Sequence, residues 1–279
     1  MRIFRRAMLM IGMTALVASS LAAQETLKTA VDGTFAPHAM PKMSGGIEGF
    51  NVDLNDAIAA KLKKKITLDA VQFSGLIPAL QAGTYDFLVA PVTVTKERAE
   101  SLLFTEGYLN TDFQFLLKKD TPDFKSLEEL KGKVISVNKG SAYDAWLRDL
   151  EPKIGWTVES YGTQTDAVQA VIAGRAYANV AGNTAIAWAV KGNPQLKLGY
   201  LHSTGLVWAI ALRKDSVPLR DTLDEALECL KADGTIAKLH EKWFGIVPAP
   251  GSAAVTSFPG HGVPGFVGYD PAAHEAKCS

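Results

Sequence analysis

Basic runs, cysteines and catalytic signatures are all scarce in this chain of 279 residues. The longest Lys/Arg run, Lys63-Lys64-Lys65, closes a helix-like segment, where cations suit the negative end of the helix dipole. Basic and acidic side chains balance at 29 each, so no basic face advertises a nucleic-acid partner, which would need one to meet phosphate charge. Two cysteines, Cys229 and Cys278, are too few for a disulfide scaffold and too far apart for a metal-binding CxxC pair. His38, His202, His240, His261 and His274 show no metal-ligand spacing. There is no G-x-S-x-G elbow, no P-loop and no H-E-x-x-H. No metal or other cofactor is expected. The stretch Gly260-His261-Gly262-Val263-Pro264-Gly265 fits G-x-G-x-x-G, but no strand precedes it and Pro264 bars a helix, so the match is accidental.

The chain does open on a segment with the pattern of a leader. Arg2, Arg5 and Arg6 precede an apolar stretch from Ala7 to about Leu21, with small residues at Ser20, Ala22 and Ala23, the order of a cleavable secretory signal over residues 1–22. The run is shorter than a membrane-spanning helix requires, and no Cys follows the candidate cleavage point. The expectation is a soluble periplasmic protein rather than a lipoprotein. Removing the leader takes three basic residues from the 29 and leaves a weakly acidic mature chain.

From Leu27 the grammar is that of α/β units. A helix is predicted over Asn51 to Leu62, with Leu54, Ala57, Ile58 and Leu62 on one face. A strand is predicted over Ile66 to Phe73, then a short helix capped by Ser74 and ended by Gly83, then a buried strand at Phe87 to Ala90. The second half repeats the scheme. Ser126 and Glu129 make a capping box, Val134 to Val137 reads as a strand, Ser141 caps a helix through Leu150, and a helix from about Asp166 ends at Ala173-Gly174. An offset of 91 lays Ala82-Gly83 on Ala173-Gly174 and Thr93 on Thr184, which suggests two similar lobes. Phe113 to Lys118 and Leu206 to Arg213 are β-rich runs that look like crossings between them. Two amphipathic helices follow, and beyond Val247 the chain is a Pro/Gly-rich tail. The expected division is lobe 1 over 23–115 and 205–247, lobe 2 over 116–204, and the tail over 248–279.

In such sheets ligands bind beyond the strand carboxyl ends, at helix starts that favour anions. Val92 to Arg98 is one candidate, with Thr95 as cap and Arg98 in the first turn. A guanidinium there suits a carboxylate, though pairing with Glu97 or Glu100 is the plainer reading. Asn138 to Ser141 is the second candidate. Phe35 and Phe73 lie at the same strand edge and could clamp an apolar ligand body, or simply fill core.

These residues bring a family into view. Gly49-Phe50-Asn51-Val52-Asp53-Leu54, Leu76 to Gly83, Thr93-Val94-Thr95-Lys96-Glu97-Arg98, Leu230 to Gly234 and Glu241 to Gly245 together resemble the periplasmic amino-acid-binding proteins of ABC importers, solute-binding family 3. The resemblance runs from Leu27 to Gly245. It implies a type II periplasmic-binding-protein fold, two α/β lobes joined by two hinge crossings and closing on one ligand, with an ABC permease as partner and a monomer as the working form. It further implies that Arg98 holds a ligand carboxylate with Thr93 and the backbone near Ser141, that Phe35 and Phe73 sandwich the ligand, and that Asp32 lies near it. There are departures. Gly182-Asn183 stands where many relatives have an Asp for the ligand ammonium, leaving Asn183 as a neutral acceptor. Ala90-Pro91 replaces small or hydroxyl residues, His38 stands where an aromatic is frequent, and Asn51 where Asp is usual.

The favoured function is therefore the solute-binding component of an importer, taking an amino acid or related small carboxylate. One alternative is a periplasmic dehydratase of prephenate-like substrates on the same fold, needing a cleft acid for which Asp32 or Asp144 could serve. Another is a partner-binding module that takes no solute. Cys229, at the edge of its helix stripe, is expected to pair with Cys278 in the oxidising periplasm and fasten the tail to lobe 1.

Overall fold

The computed structural model describes residues 26–278; the proposed leader lies outside them. In chain order the elements are β1 (Leu27–Val31), the short strands β2 (Met40–Pro41) and β3 (Ile47–Glu48), α1 (Phe50–Leu62), β4 (Ile66–Ala70), α2 (Phe73–Gln81), β5 (Phe87–Thr93), α3 (Lys96–Ser101), β6 (Leu102–Phe104) and β7 (Leu109–Lys118). After a 3-10 turn at Leu127–Leu130 come β8 (Val134–Asn138), α4 (Ala142–Ile154), β9 (Thr157–Tyr161), α5 (Gln164–Ile172), β10 (Ala178–Gly182), α6 (Asn183–Gly192), β11 (Leu196–Arg213), α7 (Val217–Ala232) and α8 (Thr235–Phe244).

Two lobes result. In one, β1 pairs parallel with β4 and lies beside β5, and α1 packs on α7 and α8. In the other, β8 pairs parallel with both β9 and β10. Strands β7 and β11 run antiparallel through both, from Leu196 opposite Lys118 to Trp208 opposite Leu109. They link the sheet order β5-β11-β7-β10-β8-β9. The crossings are longer than the sequence suggested because register shifts between Leu198 and Leu201 and between His202 and Leu206 let one 18-residue strand bend between lobes.

The internal repeat has a structural counterpart at the offset of 91. Ile66 and Thr157 open β4 and β9, Phe73 and Gln164 open α2 and α5, and Phe87 and Ala178 open β5 and β10. Caps explain several boundaries. Thr95, Ser141 and Thr163 each accept a hydrogen bond from the backbone N–H three residues on, and Ser126 with Glu129 forms the capping box.

Several boundaries differ from the sequence reading, and β5 runs on past Ala90 to Thr93. The strand from Ile66 stops at Ala70, and Phe73 is the first residue of α2 rather than the end of that strand. Ser74 therefore lies inside α2, whose N-cap is Gln72 without a side-chain bond. Helix α4 continues past Leu150 to Gly155, whose left-handed backbone ends it.

The tail wraps the lobe that carries α7. Among the described residues it contains no helix, and a bridge joins His261 to Asp270. Gly262 N–H donates to Asp224 Oδ2 at 2.6 Å, so the apparent dinucleotide pattern serves as a strap on α7. Lys231 is buried, ion-paired to Glu106 at 2.6 Å and donating to Thr256 O at 2.8 Å. A disulfide joins Cys229 of α7 to Cys278.

Candidate functional site

The site forms where the first lobe's strand ends face the start of α4. Thr95 Oγ1 accepts from Arg98 N–H at 3.2 Å, which fixes α3 and turns the Arg98 side chain back along β5. Its Nη1 donates to Thr93 O at 3.0 Å, and its Nη2 reaches across to Gly140 O of the other lobe at 3.1 Å. The guanidinium lies over the Phe73 ring, 5.6 Å from its centroid, an orientation set by Phe73 opening α2. Burial lowers the Arg98 pKa to about 10, which leaves it charged at neutral pH. Among the described residues no carboxylate comes within salt-bridge distance of it.

Asp32, at the end of β1, is buried. Its Oδ1 accepts from Thr34 N–H and Oγ1 at 2.9 and 2.7 Å, and its Oδ2 accepts from Asn138 Nδ2 across the cleft at 2.8 Å. Thr34 Oγ1 in turn accepts from Gln164 N–H of the second lobe at 3.3 Å. Asp32, Phe35, Phe73, Asn138, Ser141 and Tyr143 line one crevice of about 10 Å³, room for about one water. It shares Ser141 with a groove of about 500 Å³ that Arg98 and Phe113 also line, a volume in the range of small-molecule sites. Burial raises the Tyr143 pKa, Arg98 opposes that rise, and Asp32 adds to it, so the phenol feels both charges.

His38 carries a further cross-lobe contact. Gly49 lets the Pro37-His38 backbone press onto the start of α1, where a Cβ would collide with His38 O. Phe50 and Asn51 N–H groups then donate to Pro37 O and His38 O, both at 2.9 Å. Asn51 Nδ2 donates to Val89 O and Tyr108 Oη, so Asn51 Oδ1 is left to accept from His38 Nδ1 at 3.0 Å. His38 Nε2 therefore accepts from Thr184 Oγ1 at 2.8 Å. An Asp at position 51 could make neither of the two donations, which explains that departure. His38 also fills an aromatic's place, 5.3 Å from Phe35 and 4.7 Å from Trp208, ring centre to ring centre.

Of the residues singled out in the sequence, Asp32, Phe35, Phe73 and Ser141 meet at one crevice, and Arg98 lies at its edge. Thr93 is adjacent, but its hydroxyl accepts from Trp208 Nε1 at 3.0 Å. Asn183 lines a different groove with Pro37, Thr184 and Trp243, its Oδ1 accepting from Asp112 N–H at 3.5 Å. Sequence reasoning missed Trp208 and Tyr143. Trp208 sits within the crossing strand β11, completely buried, where an alternating β-run gives no sign that its ring packs against Phe35, His38 and Gly182. The glycine at 182 was the available signal, because a Cβ there would stand 2.5 Å from Trp208 Cη2.

With this geometry in place, comparison with known proteins decides the family. A family model for bacterial extracellular solute-binding proteins, family 3, matches residues 27–246. The chain belongs to that family. It is 31% identical over 231 residues to the ABC transporter arginine-binding protein 1 of Escherichia coli strain K12, covering 80% of this chain and 92% of the relative. It is 28% identical to the lysine/arginine/ornithine-binding periplasmic protein of the same organism, covering 85% and 94%. An ancestral arginine-binding protein bound to arginine matches as a solved structure at 35% identity and TM-score 0.75, over 79% of this chain and 98% of that one. The solute-binding family 3 chain is thus similar to amino-acid-binding proteins of ABC transporters.

Proposed function

We propose that this protein captures a small carboxylate, an amino acid or a close relative, in the periplasm and delivers it to an ABC permease. The observation that carries the reading is Arg98, a charged guanidinium at the interlobe crevice whose side-chain hydrogen bonds, among the described residues, go to the backbone carbonyls of Thr93 and Gly140. A cation so placed suits a ligand carboxylate, which it can take in bidentate fashion. Relatives named as arginine-binding and lysine/arginine/ornithine-binding proteins support an amino-acid-like ligand.

In this reading lobe 1 comprises 23–115 and 205–247, and lobe 2 comprises 116–204. Phe35 and Phe73 flank the ligand body, Ser141 at the start of α4 faces its carboxylate, Thr93 offers a neutral group at the margin, and Asp32 faces its far side. The leader is cleaved and the mature protein works as a monomer. A thermal-shift screen of the mature protein against amino acids and organic acids tests this. A ligand at a hundredfold excess over its dissociation constant should add about 2.7 kcal/mol of stability; no shift with any carboxylate contradicts the reading.

A further inference from the structure

Resting on that carboxylate reading, we propose that the cleft selects carboxylates with no ammonium group on the α-carbon, and that Trp208 sets this choice. An α-ammonium on a carboxylate held by Arg98 lies within a few ångströms of the guanidinium. Once buried, it needs a charged or well-aligned acceptor at that spot, because an unpaired buried charge costs several kcal/mol.

The groups available there are the wrong kind. Trp208 presents a ring edge and an indole N–H, and that N–H already occupies Thr93 Oγ1 at 3.0 Å. Gly182 ends β10 fully enclosed, and a Cβ added to it would stand 2.5 Å from Trp208 Cη2 and closer still to Cζ2. No side chain, and so no carboxylate, fits at 182 while the indole stays. Asp32 is the buried carboxylate of the crevice, and it already accepts three hydrogen bonds from Thr34 and Asn138. Asp144 is paired with Arg148 at 2.9 Å, and Glu97 and Asp149 sit on the exposed rim. Of the buried polar atoms without a hydrogen-bond partner among the described residues, Thr111 Oγ1 adjoins Gly182 and Asn138 Oδ1 belongs to a residue that lines the crevice. Both are neutral. Thr111 Oγ1 stands 3.3 Å from the would-be Cβ of Gly182, where a carboxylate at that position would otherwise project. An unsubstituted α-carbon, by contrast, rests against Trp208 at no electrostatic cost and gains apolar burial.

Isothermal titration of the purified protein with matched pairs tests the selection: arginine and its α-desamino analogue, lysine and ε-aminocaproate, glutamate and glutarate, phenylalanine and hydrocinnamate. In every pair that binds, the desamino member should bind at least as tightly. An α-amino acid binding more than about tenfold tighter than its partner, about 1.4 kcal/mol, overturns the inference while leaving the carboxylate reading intact. Absence of binding by all members overturns both. The role of Trp208 is tested with Gly182→Asp combined with Trp208→Ala, which should shift the preference at least about tenfold toward the α-amino member. Trp208→Phe keeps the core filled and frees Thr93 Oγ1, and it should shift the preference the same way to a smaller degree. Unchanged preference in these variants, with circular dichroism showing them folded, overturns the assignment to Trp208. Should the double variant fail to fold, Trp208→Phe and the wild-type pairs decide.

Discussion

His38 is neutral because burial lowers its pKa to about 3, with the Asn51 hydrogen bond acting weakly in the other direction. An unfolded His takes up its proton near pH 6.5. Between the two values the unfolded chain binds more protons than the native one, so stability falls as the pH drops, by up to about 1.4 kcal/mol per pH unit. Asp224 acts in the opposite sense, since burial raises its pKa to about 7 and its native protonation favours the fold as the pH falls below that. His38→Gln leaves Asp224 in place and removes only the titrating ring. Urea unfolding at pH 6.5 and pH 4.5 should show a smaller loss of stability in the variant than in wild type, by about 1 kcal/mol or more. Parallel losses contradict the neutral latch. At this scale the sequence was uneven. Arg98 and its Thr95 cap were legible because a hydroxyl three residues before an N–H has one local use. Trp208 was not, because what makes room for its ring is the missing side chain at Gly182, far away in the sequence.

Among the elements, the repeat was readable because strand, helix and glycine recur with local chemistry: left-handed glycines after α2 and α5, and apolar runs in β5 and β10. The start of α2 was not, since Phe73 and Ser74 satisfy strand and cap patterns equally and the choice is made by packing of Phe73 against the cleft. The tail was legible as irregular chain fastened by the Cys229–Cys278 bridge, which the structure contains. What else holds it is tertiary, the burial of Lys231, Glu106 and Asp224 beneath it. That bridge closes a loop spanning a sequence separation of 49, and such a constraint on the unfolded chain contributes roughly 2–4 kcal/mol. Cys278→Ser is expected to lower the melting temperature by several degrees and to abolish the response to dithiothreitol that wild type shows. An unchanged melting temperature contradicts a fastening role.

For the whole molecule, the lobes meet through Asp32 with Asn138, His38 with Thr184, Arg98 with Gly140, and Thr34 with Gln164. In the proposed function, a ligand entering the crevice would exchange some of these bonds for its own, and hinge motion along β7 and β11 would provide the opening. It can bias that motion only by its difference in affinity for the two arrangements. The account's central claim is that Arg98 supplies the charge such a ligand needs. Isothermal titration of Arg98→Ala, using any carboxylate that binds wild type, tests it most directly. Stranding the carboxylate should cost roughly 2 to 5 kcal/mol, a loss of at least about thirtyfold in affinity, while circular dichroism and melting temperature stay close to wild type. Affinity within about threefold of wild type in a folded Arg98→Ala protein would contradict it.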